Sequence, residues 1–208
     1  MKKGQIIFQT VYIVIFAVII WWIIEIRQGN MPYVDQWTRG LVVPVDNTFV
    51  HTFFSSITQL GSRPFILPFT ILMTFFLWYF YRQLLPALFF GFGTLGAQLL
   101  NRLMKHLVAR ERPSISTALY AKGYSFPSGH AMTSMVCYGL LVYFLTEKIT
   151  SSKVKFWLRI GFGLLILLVG TSRYFINVHY LTDVISGFYI GSLYLLSIIF
   201  VYKKVCKK

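Results

Sequence analysis

Six apolar runs constrain this chain more than any other feature. They fall near residues 6–24, 64–81, 84–101, 131–146, 156–173 and 184–202. Each is long enough, or nearly so, for one helix across a hydrocarbon core about 30 Å thick. A segment inside lipid must satisfy its own backbone hydrogen bonds, so helices are the expected form. The expected fold is all-α, a six-transmembrane-helix bundle in a single integral-membrane domain, residues 1–208. The charge content agrees, because only 12% of residues are charged where soluble domains carry roughly 25%. The first run, "IIFQTVYIVIFAVIIWWII", is too long for a signal-peptide core and no small-residue cleavage site follows it. It reads as a retained anchor.

The formal net charge is +14. These charges flank apolar runs, which points to topology and anionic headgroups rather than nucleic acid. With both termini cytoplasmic, the inner side holds eleven Lys and Arg against one acid, Glu147, and the outer side nine against five. The positive-inside rule therefore puts both ends inside. Trp21 and Trp22 then mark the outer end of the first span, while Trp78, Trp157 and Tyr202 mark inner ends. The outer excess of basic residues concentrates in 102–122, and topology does not explain it. Cys137 sits in a span and Cys206 in the tail, so no disulfide is expected.

The outer segment 29–63 is long. Phe49, Val50, Phe53, Ile57 and Leu60 recur at helical spacing, Asp46 or Asn47 suits the start, and Gly61 ends the run before Pro64. An amphipathic helix lying in the outer interface is expected there. His51 falls near its polar side and reads as an ordinary exposed histidine.

Three polar clusters share the outer face. In "KHLVARERP", Lys105 and Arg112 are seven apart. On one helix they share a face about 10.5 Å apart along the axis, and Pro113 ends that helix at the residue before it. In "SFPSGH", Pro127 breaks the chain and Ser128 with Gly129 opens the fourth span. A helix start binds anions through free N–H groups and its dipole, and His130 adds a titratable group beside it. In "SRYFINVHYLTD", His179 and Asp183 are four apart, hence neighbours on a helix face. A carboxylate on one imidazole nitrogen fixes the tautomer and frees the other as nucleophile or base. Arg173 supplies a forked guanidinium suited to phosphate. Two histidines, a carboxylate, three cations and a helix start suit nucleophilic phosphoryl transfer with charge stabilised by fixed cations.

These stretches resemble the three-part signature of the type 2 phosphatidic acid phosphatase family, Kx6RP, PSGH and SRx5Hx3D, with each spacing kept over residues 105–183. The resemblance implies that Lys105, Arg112, Ser128, Gly129 and Arg173 bind the phosphate. It implies that His179 attacks phosphorus, that Asp183 orients it, and that His130 protonates the leaving oxygen. It implies no metal and no other cofactor. Size and layout are similar to bacterial members that dephosphorylate phosphatidylglycerophosphate. The expected partner is a membrane lipid, a phosphomonoester such as phosphatidylglycerophosphate or phosphatidic acid, met at the outer leaflet. Two alternatives stay open: an undecaprenyl diphosphate phosphatase of wall-carrier recycling, whose relatives share the motifs, and a non-catalytic anion or lipid transporter.

Overall fold

The computed structural model describes residues 3–42, 48–113 and 123–206. Among them are eight α-helices: α1 (Lys3–Arg27), α2 (Tyr33–Arg39), α3 (Phe49–Ile57), α4 (Arg63–Tyr81), α5 (Leu84–Val108), α6 (Gly129–Lys148), α7 (Ser152–Phe175) and α8 (Leu181–Cys206). Six of these are long and apolar enough to cross a membrane, namely α1 and α4 to α8. They coincide with the six apolar runs, each extended by a few residues.

α6 is the hub, packing against α5, α7 and α8. Of its span, 61% is enclosed by the other helices, against 6% for α1. This burial explains the sequence of α6, which is apolar on every side rather than along one stripe. The large apolar side chains of α1 and α4 point outward instead, as at Ile13, Ile71 and Phe75. A lipid-facing surface has this character because hydrocarbon, not water, solvates it.

The approach of α8 to α6 rests on two glycines one turn apart, Gly187 and Gly191. A Cβ at Gly187 would stand 2.7 Å from the Ser128 carbonyl oxygen, and one at Gly191 would stand 2.9 Å from the Met132 carbonyl oxygen. Small residues at this spacing let two membrane helices meet backbone to backbone. The close approach brings the Ser128 N–H onto the carbonyl of Asp183 at 3.0 Å. The start of α6 is thereby locked to the start of α8.

The end of the bundle where α4, α6 and α8 finish is aromatic. Phe90, Leu140 and Phe144 are fully buried there. The ring of Phe144 meets Tyr202 edge-on at 5.0 Å, and the Tyr81 hydroxyl donates to the Phe144 carbonyl at 2.7 Å. Cys137 is buried and Cys206 exposed, and neither forms a disulfide.

Two findings correct the expectations for the segment 29–63. It carries two helices, not one: α2 precedes α3, and its seven residues are too few for periodicity to reveal. The cap of α3 is Thr48, whose hydroxyl accepts from the His51 N–H at 3.3 Å. Asp46 and Asn47, read as caps, lie outside the described residues. After α3 a short 3-10 turn, Thr58–Gly61, leads into α4.

Candidate active site

A cavity of about 280 Å³ opens among the starts of α4 and α6 and the ends of α5 and α7. Lys105, Arg112, Gly129, His130, Arg173 and His179 all line it. Six of the eight residues picked out by sequence spacing therefore meet around one space. The other two, Ser128 and Asp183, stand directly behind it.

Two of the local expectations are overturned. Lys105 and Arg112 do not share a helix. α5 ends at Val108, and Ala109 turns left-handed at φ 53° with its N–H on the Lys105 carbonyl. Arg112 therefore arrives on an extended stretch, and its Nε donates to the Gly123 carbonyl at 2.8 Å and its Nη1 to the Val178 carbonyl at 2.8 Å. Lys105 donates to the carbonyls of Tyr124 and Ser125. Both cations are thus clamped onto the backbone of the segment leading to Pro127.

His179 and Asp183 do not share a helix face either. α8 begins at Leu181, so His179 sits in the turn before it. Asp183, in the first turn, reaches back and accepts the Tyr180 N–H at 3.0 Å. This is the reciprocal half of a capping box, in which an acidic residue satisfies a free donor at the helix start. The same Oδ2 lies 3.3 Å from His179 Nδ1. Ser125 Oγ donates to that oxygen and lies 3.2 Å from the same ring nitrogen. On the far side of the ring, Nε2 lies 3.1 Å from Arg112 Nη1. A guanidinium only donates, so Nε2 carries the lone pair and Nδ1 the proton. Nε2 is therefore the nitrogen able to act as a nucleophile, with the cavity-lining Arg112 donating to it. Burial, followed by the nearby charges of Lys105, Arg112, Arg173 and Arg110, pushes the His179 imidazole well below its ordinary range and keeps it neutral.

The α6 start behaves as the spacing predicts. Ser128 is the N-cap, its hydroxyl accepting from the Ala131 N–H. Gly129 and His130 follow as the first helical residues. His130 makes no hydrogen bond to any described residue. Its ring packs instead on Gly61, where an added Cβ would stand 2.7 Å from His130 Cδ2. Arg173 is held from the other side, with Nη1 donating to Thr58 Oγ1 at 3.0 Å.

Behind Asp183 stands a polar network that spacing did not reveal. Arg110 donates to Asp183 Oδ1 at 2.7 Å and to Asp35 Oδ2 at 2.7 Å. Asp35, on α2, also accepts the Thr182 N–H at 3.0 Å and the Thr182 hydroxyl at 2.6 Å. Arg110 stacks on the Tyr180 ring at 3.8 Å. Burial works against its charge, but Asp183 and Asp35 outweigh that and raise its pKa. Arg112, buried with less compensation from Asp183, is lowered. No spacing in the sequence joins Asp35 or Arg110 to the three motifs. Asn101 was also missed. It donates to the Pro127 carbonyl at 3.2 Å and braces the turn into α6. A fourth cation, Arg63 at the start of α4, lines the cavity as well. His51 does not.

Comparison with known proteins agrees with the geometry. The model of the PAP2 superfamily matches residues 86–206. The chain is 33% identical over 164 residues to phosphatidylglycerophosphatase B of Bacillus subtilis, covering 76% of this chain and 78% of that protein. It is 27% identical over 163 residues to the dolichyldiphosphatase of Saccharomyces cerevisiae, covering 73% and 67%. The crystal structure of a transmembrane PAP2-type phosphatidylglycerolphosphate phosphatase from Bacillus subtilis superposes with a TM-score of 0.79 at 25% identity, over 91% of this chain and 96% of that one. LpxE of Aquifex aeolicus shares the fold at a TM-score of 0.57 and 22% identity, over 76% of this chain and 90% of that one.

Proposed function

The chain belongs to the PAP2 superfamily and is a multi-pass membrane lipid phosphatase; from that premise we propose that it hydrolyses a lipid phosphomonoester, such as phosphatidylglycerophosphate or phosphatidic acid, through a phosphohistidine at His179. The observation that carries this reading is the orientation of His179, whose Nδ1 is held by Asp183 and Ser125 while Nε2 keeps its lone pair beside Arg112, one of the cations lining the cavity. In the first step the Nε2 lone pair attacks phosphorus and the phosphoester P–O bond breaks. His130 gives the departing alkoxide a proton. In the second step a water loses its proton to His130 and attacks phosphorus, the P–N bond breaks, and phosphate leaves. Lys105, Arg112, Arg173 and the free N–H groups at the start of α6 neutralise the charge on the transferring group. The mechanism uses no metal, so activity is expected to survive EDTA.

A second reading is favoured by Arg63, a fourth cation beyond the three of the signature. It leaves room for a diphosphate, as in a polyprenyl diphosphate phosphatase of wall-carrier recycling. The deciding experiment is phosphate release by the purified protein from phosphatidylglycerophosphate, phosphatidic acid and undecaprenyl diphosphate, with trapping of an acid-labile, alkali-stable phosphoenzyme. Turnover without such an intermediate would remove the phosphohistidine. Anion binding without turnover would leave a transporter.

The basic balance of the loops supports a site facing the extracytoplasmic side with both termini inside. α3, whose Phe49, Val50 and Phe53 are exposed, suits the outer interface. Single cysteines at the exposed positions Tyr33 and Ser152, placed in a cysteine-free background, are expected to react with an impermeant thiol reagent in intact cells at 33 only. The reverse pattern would invert the topology.

A further inference from the structure

The inward face of α5 grades from hydrocarbon to charge. Phe90 is fully buried, and Thr94 returns its hydroxyl to the Phe90 carbonyl at 2.9 Å. Gln98, Asn101 and Lys105 follow at spacings of three and four, and all three line the cavity. Lys105 is held by backbone carbonyls and Asn101 by the Pro127 carbonyl. Gln98 differs: its Nε2 is buried and has no hydrogen-bond partner among the described residues. It stands two turns below Lys105, about 10.5 Å along the axis, in a cavity that Ile66 and Thr133 also line.

A buried amide donor without a partner is costly, typically about 1–3 kcal/mol, and such groups in a cavity wall are commonly completed by a ligand. With the phosphate at Lys105, Arg112 and Arg173, the part of the lipid that reaches Gln98 is the part just below its phosphate. In an acylglycerol that part holds ester carbonyls, which are good acceptors a few bonds from the phosphoester oxygen. In a polyprenyl monophosphate it is hydrocarbon with no acceptor, and in a diphosphate it is the second phosphate, which falls to Arg63 in the reading above, followed by hydrocarbon. We propose that Gln98 donates a hydrogen bond to an acyl-ester carbonyl of the substrate and so selects acylglycerol phosphates over polyprenyl ones. This inference rests on the lipid phosphomonoester reading above and names the feature of the lipid that the site recognises.

The test compares diacyl phosphatidic acid, its dialkyl ether analogue, a polyprenyl diphosphate and p-nitrophenyl phosphate. One neutral hydrogen bond corresponds to about tenfold. The unaltered protein is expected to prefer the diacyl over the dialkyl lipid by about that factor in kcat/KM, chiefly through KM, since the bond forms in ground and transition states alike. Gln98→Met and Gln98→Leu are expected to abolish that preference and to lose more on the diacyl lipid than on p-nitrophenyl phosphate, with an unaltered elution profile in size-exclusion chromatography reporting that the variants fold. Equal rates on diacyl and dialkyl lipids in the unaltered protein would overturn the proposal without needing any variant. An equal loss on all four substrates in both variants would overturn it too and make Gln98 structural. Turnover of the polyprenyl diphosphate with none of either glycerolipid would bring down the phosphomonoester reading itself, and this inference with it.

Discussion

The turn before α8 and the start of α6 each bring one histidine to the cavity, and they hold it in opposite ways. His179 is fixed on both ring nitrogens, by Asp183 and Ser125 on one side and Arg112 on the other. Asp183 is fixed in turn by Arg110, and Arg110 by Asp35. His130 has no hydrogen-bond partner among the described residues and is positioned by packing on Gly61. The difference fits two tasks. A nucleophile gains from being aimed before substrate arrives, because orientation removes part of the barrier in advance. A general acid gains its partner only when the leaving oxygen is present.

This contrast can be broken most decisively at the fixed ring. His179→Ala is expected to lower turnover by on the order of 10⁴-fold or more, because the group that forms the covalent bond is gone. The loss should be alike for a lipid phosphate and for p-nitrophenyl phosphate. Retention of near-normal rates in single-turnover measurement would end the assignment.

His130→Ala is expected to cost about 10²–10⁴-fold on lipid phosphates, the usual range for general acid catalysis. It should cost much less on p-nitrophenyl phosphate, whose phenolate leaves without a proton. Rapid-quench measurement of the first turnover isolates that step. An equal slowing of the burst for both substrates would make His130 a phosphate binder.

The support behind His179 should give a smaller effect. Asp35→Asn leaves Arg110 with one carboxylate and loosens the frame around Asp183. A fall of about 10–100-fold in kcat is expected, the scale of a small misplacement of reacting groups. Both substrate types should suffer equally, since the nucleophile is affected and not the acid. A loss confined to lipid substrates would mean that α2 touches the lipid instead.

Gly61→Ala tests the packing that positions His130. The new methyl would stand 2.5 Å from Val169 Cγ1 and 2.7 Å from His130 Cδ2, so the ring must shift. About tenfold loss on lipid phosphates is expected, with p-nitrophenyl phosphate nearly unaffected. Equal loss on both would show that the methyl disturbs the phosphate site and not the acid.

The smallest effect is in pH. An unfolded histidine takes up its proton near pH 6.5, and buried His179 does so only at lower pH. Between those values the unfolded chain binds more protons. The stability that His179 contributes is therefore present above about pH 6.5 and declines as pH falls below it. Attack needs the same neutral ring. The acid limb of kcat/KM is expected below pH 6.5, and a limb at or above that value would mean the imidazole is not held neutral.

Much of the fold was legible because membrane spans announce themselves by length and apolarity. The six runs returned as six helices, and the motif residues returned around one cavity. What was not legible depends on contacts between distant residues. Nothing local marks Asp35 as the partner of Arg110, which lies 75 positions away. Nothing local shows that Asn101 would brace Pro127, or that Gln98 would be left without a partner. The helix-face reading of Lys105 with Arg112 failed because Ala109, an ordinary helix former, takes a left-handed conformation at the end of α5.

The sequence by itself determined the spans, their chemistry and which residues are candidates for the reacting groups, since these follow from apolarity and residue type at short spacing. Only the tertiary structure decided the aim of His179 and the freedom of His130. Both depend on how closely α8 approaches α6. That distance is set by Gly187 and Gly191 meeting the α6 backbone, and close packing between helices is a property of two surfaces that neither segment carries alone.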